Sequence, residues 1–323
     1  MGQDTTVEQV PSQREAGRTS PPRVSICILC HNYGRYLQRA IESCLSQEPG
    51  DYHLEEIIVL DDGSTDDSVV VAGSFGTKVQ IITTPHSGFG ATLSAAISSS
   101  RGDWVALLDA DDWFTSDKLK SACRWMNDGR LLIQHFEHVV DENGMPLTPN
   151  AHPGGNTSTL LVERAAALDL LPVSNELFFH VLGDLGRSAQ LDEPMTYYRV
   201  HPRAMTDRVN PGIREDYMVG VCRDLAARLA LIAAEPPAWA RRSALRSIRH
   251  YYLAEMAAHQ VEGAIQRGHR LRAARALPRQ LVHAVMSGRP IARRWPSLRS
   301  VITGRPCIRL AQPASPGRPQ AAK

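Results

Sequence analysis

Two short apolar runs that end in acids set the terms for this chain. Glu56-Ile57-Ile58-Val59-Leu60 runs into Asp61-Asp62-Gly63-Ser64-Thr65-Asp66, and Val105-Ala106-Leu107-Leu108 runs into Asp109-Ala110-Asp111-Asp112. Apolar runs this short, bounded by Gly and Asp, read as buried strands. Their carboxylates then collect at strand C-terminal ends, the edge where open α/β sheets place ligands. Asp109, Asp111 and Asp112 repel one another and are costly to bury unless a cation or donor groups compensate them. Taken alone, the cluster is either an acidic surface turn or a cation site. Hard oxygen ligands suit Mg²⁺ or Mn²⁺, which bind phosphate oxygens as well. A calcium loop does not fit, because Trp113 and Phe114 stand where that loop needs a ligand and a glycine.

The surroundings of these runs argue for a sheet. Val24 to Cys30 reads as a first buried strand, and His31-Asn32-Tyr33-Gly34 turns it into a helix. Tyr36, Leu37, Ala40, Ile41, Cys44 and Leu45 keep helical spacing until Pro49-Gly50 stops it. A helix over about 66–74 follows the second strand, then a strand at Val79 to Thr83, a turn through Gly88-Phe89-Gly90, and a helix to Ser99. Alternating strand and helix predicts an α/β fold, a mostly parallel sheet with helices on both faces. The two acidic ends then meet in one crevice. Asp61 or Asp62 is placed to accept from a base or ribose, Gly88 and Gly90 allow close backbone approach, and Asp109 to Asp112 can hold a cation against a diphosphate. No third glycine completes a dinucleotide fingerprint, and no G-x-x-x-x-G-K-[ST] occurs.

Charge divides the chain. Its 323 residues carry a net +2, but from Gly212 onward there are 20 Lys+Arg against 6 Asp+Glu. An acidic body is therefore followed by a basic appendage suited to an anionic partner. The six cysteines, at 27, 30, 44, 123, 222 and 307, show no repeated spacing. Cys27 and Cys30 face opposite sides of a strand and lack a second pair for zinc, so reduced thiols and a cytoplasmic protein are expected. Residues 1–22 and 311–323 are expected to be disordered. No apolar run reaches the roughly 20 residues of a membrane span.

Four motifs, in order and spacing, resemble the family 2 glycosyltransferases, which have the GT-A fold. They are Val24-Ser25-Ile26 with His31-Asn32-Tyr33, then Leu60 to Asp66, then Gly88-Phe89-Gly90-Ala91, then Leu108 to Asp112. The likeness continues through Asp117-Lys118-Leu119, Val140 to Gly144, Asp192-Glu193-Pro194 and Tyr197-Tyr198-Arg199-Val200-His201. It spans roughly 22–205, within a domain expected at 23–205, followed by a basic helical extension over 206–310.

The resemblance implies transfer of a sugar from a nucleotide-diphosphate donor, typically a UDP-sugar, to an acceptor hydroxyl with inversion. The acceptor is then a carbohydrate, a lipid-linked or a small molecule. It implies that Asp62 contacts the base, Asp61 supports that loop, and Leu29, His31 and Asn32 wall the base pocket. Gly88, Asp109 and Ala110 then line the nucleotide site, with Asp109 at the ribose. Asp111 binds Mn²⁺ or Mg²⁺, and His201 donates to the diphosphate.

The general base departs from the pattern. Ser174 stands where the family places an aspartate, with Glu176 two residues on, and Pro172 to Phe179 reads as a helix start. Ser174 suits an N-cap and Glu176 suits the helix dipole. The functional reading makes Glu176 the base, with Asp184 as a remote substitute; the alternative is a donor-binding scaffold without turnover. Trp113 and Phe114 either floor the acceptor site or pack under the sheet. Residues 144–159, including Gly154 and Gly155, read as a mobile acceptor-side loop. Two helices are expected in the extension, at 215–234 and 238–268, with arginines gathered on and after the second. They either pack as a solvated appendage or lie on an anionic membrane surface. Nucleic acid is not expected, because interleaved aromatics are lacking.

Overall fold

The computed structural model describes residues 20–202 and 213–288, together with residue 301. Nearly all of the ends expected to be disordered lie outside the described residues. The chain divides into two compact units, residues 1–207 and 208–323.

The first unit is built on one sheet. Parallel strands β1 (Arg23–Cys30), β2 (His53–Asp61), β3 (Gln80–Thr83) and β4 (Trp104–Asp109) lie in the order β3-β2-β1-β4. Helices α1 (Gly34–Leu45), α2 (Ser68–Gly73) and α3 (Phe89–Ser99) connect them. Strand β1 is buried along its length after Arg23 because both of its faces are covered. Ile26, Ile28 and Cys30 join the core formed with Leu37, Ile41 and Cys44 of α1. On the other face the Cys27 thiol meets the Ala96 carbonyl of α3 at 3.6 Å. A run buried on both sides has no reason to alternate, so the apolar runs are continuous.

Past β4 the pairing changes. Strands β5 (Trp113–Phe114), β6 (Leu132–Val140), β7 (His152–Pro153), β8 (Leu160–Glu163) and β9 (Ser188–Arg199) extend the sheet in the order β4-β8-β6-β9-β5, with β7 on β6. Here β8 runs antiparallel to both β4 and β6, while β6 and β9 are parallel. The parallel expectation thus describes the half that carries the four motifs. Helices α4 (Lys118–Ala122), α5 (Arg164–Leu170) and α6 (Leu177–Asp184) complete the unit.

The 144–159 stretch is bound to the sheet rather than forming an open loop. Gly154 N–H donates to the His135 carbonyl at 3.1 Å, and Thr157, Ser158 and Thr159 are buried. A Cβ at Gly154 would stand 2.2 Å from that carbonyl oxygen, so glycine is required there by contact, not by mobility.

The second unit is helical, with α7 (Ile213–Ala234), α8 (Arg242–Gln266) and α9 (Arg270–Met286). Within it, Arg267 forks onto Asp216 at 3.0 and 3.1 Å, and Val261, Ala264, Ile265 and Ala273 form a small core. Among the described residues no helix is long and apolar enough to cross a membrane.

Candidate active site

Strand β1 brings the two acidic ends together. The Leu29 carbonyl accepts from Ala110 N–H at 3.0 Å, and the Cys30 carbonyl accepts from Asp62 N–H at 2.9 Å. The Leu29–His31 backbone is therefore the floor between both motifs. Asn32 follows with a φ of 60°, a left-handed conformation that asparagine tolerates better than most residues. Its Oδ1 accepts from the backbone N–H of Thr65 and Asp66 at 2.8 and 3.3 Å, which fastens the 63–66 loop to the end of β1.

Asp61 and Asp62 hold loops in this structure. Asp61 accepts from Ser64 N–H at 3.3 Å. Buried Asp62 accepts from Ser87 N–H and Gly88 N–H at 2.7 and 2.9 Å and pairs with His86 at 2.9 Å. Burial opposes its ionisation, but these backbone donors, the Ser87 hydroxyl and His86 hold it below the usual carboxylate range. His31 and His86 stack at 4.2 Å, and both Nδ1 atoms lie near the Asp62 carbonyl. His31, Asp62 and His86 offer ligand atoms within 4.8 Å of one another, the one such group of three among the described residues.

The second acidic end is a divided set. Asp112 is consumed by the scaffold: Ser158 Oγ donates to it at 2.6 Å and Arg199 N–H at 2.8 Å. Ser158 Oγ in turn accepts from Asp109 N–H at 3.0 Å, and its carbonyl accepts from Lys118 Nζ at 2.8 Å. Lys118 has no exposed surface, sits 3.5 Å above the Phe114 ring, and is held well below the usual lysine range by burial. Asp109 and Asp111 remain for ligands. Burial, then the charge of Asp111, then that of Glu176 push Asp109 well above the usual carboxylate range. Hard carboxylate oxygens of this kind fit Mn²⁺ or Mg²⁺. Asp111 Oδ2 accepts from His201 Nε2 at 2.9 Å, and the His201 ring lies 5.7 Å from that of Tyr33 and 4.9 Å from that of Tyr36.

Glu176 reaches this cluster because its segment is docked on α3. A Cβ at Gly90 would stand 2.7 Å from Ser174 Cα, and Val173 N–H donates to Ser94 Oγ at 3.1 Å. Glu176 holds the N-cap position of α6, and Asn175 just before it supplies the side-chain bond, its Oδ1 accepting from Leu177 N–H at 2.9 Å. Ser174 is not the cap, and its buried hydroxyl has no partner. Glu176 makes no capping bond either, and burial pushes its carboxyl up to about 7. Asp184 ends α6, about 12 Å along the axis at 1.5 Å per residue.

Several residues of the site were not legible in the sequence. Tyr33, Lys118 and Arg199 lie inside matched motifs without a role of their own, and Ser158 sits in an Asn-Thr-Ser triplet that points to glycosylation rather than to a latch. Trp113 is buried at β5, stacked on Tyr197 at 4.9 Å with Arg39 above it at 3.5 Å, and Phe114 belongs to the core.

Residues 25–164 match the family model for glycosyl transferase family 2. Over those residues the chain is a family 2 glycosyltransferase. It is 27% identical over 212 residues to an uncharacterized glycosyltransferase of Nostoc sp., covering 55% of this chain and 65% of that protein. An uncharacterized glycosyltransferase of Haemophilus influenzae is 33% identical over 122 residues, 36% of this chain and 48% of that one. Chondroitin synthase of Pasteurella multocida is 32% identical over 102 residues, 31% of this chain and 10% of that one. The chain thus spans less than two thirds of each of these relatives. Among solved structures, S. aureus TarS 1-349 in complex with UDP-GlcNAc aligns with a TM-score of 0.52 at 16% identity, over 83% of this chain and 92% of that one. That likeness is one of fold: a GT-A domain followed by a helical extension.

Proposed function

We propose that this glycosyltransferase domain moves a sugar from a nucleotide-diphosphate donor, a UDP-sugar, to an acceptor hydroxyl with inversion. The observation that carries the reading is the convergence of Asp109, Asp111, His201 and Glu176 on the crevice floored by Leu29–His31. The solved relative of like fold holds UDP-GlcNAc, which supports a UDP-sugar. In this reading the acceptor oxygen bonds to the sugar carbon as the bond to the diphosphate breaks, and Glu176 takes the hydroxyl proton. His201 is placed beside Asp111 to donate to the leaving diphosphate. Asp111, with Asp109 beside it, would hold Mn²⁺ or Mg²⁺, which offsets charge developing on the leaving group. Asp62, Gly88 and Ala110 line the base and ribose side.

The test is titration calorimetry. UDP is expected to bind at least about tenfold more tightly with Mn²⁺ than with EDTA, a difference of about 1.4 kcal/mol. Asp111→Ala is expected to abolish that difference. Metal-independent binding, unchanged by Asp111→Ala, would sink the metal assignment.

The basic extension supports a second element of this reading, contact with an anionic membrane where lipid-linked acceptors reside. Helix α9 exposes Leu271, Val282, Val285 and Met286 beside Arg272, Arg275 and Arg279. An exposed apolar stripe edged by arginines suits an interfacial helix. The protein is expected to co-sediment with anionic vesicles at low salt and to be released at high salt. Equal sedimentation with neutral vesicles, or none, would leave α9 as a solvated appendage.

A further inference from the structure

Arg199 is a buried cation whose side chain makes no hydrogen bond to any described residue. It is 5% exposed, and its Nε has no partner. A guanidinium carries five donors, and the one at Nε is buried here without a partner, which is costly. Its surroundings are aromatic, with the guanidinium carbon 4.3 Å from the Tyr36 ring centre and 4.8 Å from that of Trp113. Cation–π contact offsets part of the cost of burial but satisfies none of the donors.

A second arginine shares the same ring. Arg39, exposed on α1, lies 3.5 Å over Trp113. No described residue offers it a hydrogen bond or an ion pair. The nearby carboxylate of Glu142 is engaged elsewhere, by Arg35 at 2.9 Å and by the Tyr36 hydroxyl at 2.9 Å. Burial, followed by the charge of Arg39, lowers Arg199 from the usual arginine range, so the two cations repel each other. Asp111 and Asp112 act on Arg199 from one side without bonding its guanidinium, and on the indole the two cations leave donors free for an anion. Gly144 leaves room for the arrangement, since a Cβ there would stand 3.1 Å from Arg39 Nη1 and 3.4 Å from the indole.

We propose that Arg39 and Arg199, arranged around Trp113, form a subsite for a phosphoryl group. Arg199 is the fixed member, since its own N–H is tied to Asp112 at 2.8 Å. Arg39 is the movable one and admits the ligand by leaving the indole. Planar guanidinium forks match phosphate oxygens and give both position and energy. The phosphate has two available sources: the diphosphate of the nucleotide, or a phosphate carried by the acceptor. Arg199 adjoins Asp111 and Asp112, so either fits, and only the first rests on the donor reading above.

The experiment is calorimetric titration of the full chain with inorganic phosphate, with and without saturating UDP and Mn²⁺. Wild type is expected to bind phosphate, and Arg39→Met to weaken it by at least about tenfold, the equivalent of about 1.4 kcal/mol. Arg39 is exposed, so this variant is expected to keep the far-ultraviolet dichroism and the urea midpoint of the wild type. Arg199→Lys, which keeps the charge but loses the fork, is expected to weaken phosphate as well. If UDP leaves phosphate binding intact and Arg39→Met leaves UDP affinity within twofold, the site serves an acceptor phosphate. If UDP displaces phosphate and Arg39→Met weakens both, it serves the donor. No phosphate binding by wild type, or equal binding by wild type and Arg39→Met, would overturn the subsite. A failure of UDP to bind at all removes the donor source and leaves the phosphate titration to decide alone.

Discussion

Asp112→Ala is expected to destabilise the first unit by about 3 kcal/mol, roughly two decades in the folding equilibrium. The carboxylate accepts from Ser158 Oγ at 2.6 Å and from Arg199 N–H at 2.8 Å, and it is 1% exposed. Truncation leaves both buried donors without their acceptor, each costing about 1–3 kcal/mol. It also removes the acid whose charge favours protonated Lys118. Asp112→Asn keeps an acceptor for Arg199 N–H and is expected to cost less than half as much. Urea denaturation followed by near-ultraviolet dichroism, in EDTA, separates the two. Burial, then the charges of Asp111 and Asp109, raise Asp112 well above the usual carboxylate range. Folding therefore favours its neutral form, and that contribution is complete below the unfolded value and lost as pH rises through the folded one. The advantage of wild type over Asp112→Asn is thus expected to shrink or reverse on the alkaline side. An alanine variant as stable as wild type would show that Asp112 is not the latch.

Asp112 also marks where sequence reasoning reached its limit. The strands that end in Asp61-Asp62 and Asp109 to Asp112 were legible because a sheet covered on both faces demands continuous apolar runs, and these are short and bounded by turn residues. Strand β1 was legible for the same reason. Strands β6, β8 and β9 were not, since polar residues interrupt β6 and β9, buried at His135 and Glu137 and more exposed at His138, Asp192 and Glu193, and β8 is only four residues long. Within the acidic cluster, spacing could not tell ligand from latch. The division arises from Ser158, 46 residues further on, and from Arg199, 87 further on, which claim Asp112 and leave Asp109 and Asp111. At α6 the sequence offered Ser174 as the cap and Glu176 as an acid suited to the first turn. Glu176 took the N-cap position without a capping bond, because Asn175 bonds Leu177 N–H and the segment is fixed from outside by its contact with Gly90. Conformation imposed by a distant element leaves no local signal.

Freed from capping, Glu176 becomes the residue whose removal is expected to matter most for turnover. Glu176→Gln is expected to keep UDP affinity within about twofold while the transfer rate falls by at least about 100-fold, the lower end for loss of a general base. The separation follows from the proposed roles: in that reading Asp109, Asp111 and the β1 end hold the nucleotide, whereas Glu176 enters from the α6 side. A base must be ionised, and burial sets this carboxyl at about 7, so wild-type turnover is expected to rise with pH through that value. The variant is expected to lose this rising limb, a change that mere loosening of α6 would not produce. Hydrolysis of a UDP-sugar, with water as acceptor, gives a readout without the acceptor in hand. Wild-type hydrolysis with an unaffected variant would place the base elsewhere, with Asp184 the remaining acid of that helix. Tight, metal-dependent UDP binding without turnover of any nucleotide sugar would instead make the domain a donor-binding scaffold. The cause would then be sought at Ser174, whose hydroxyl has no partner and where the family resemblance implies an acid.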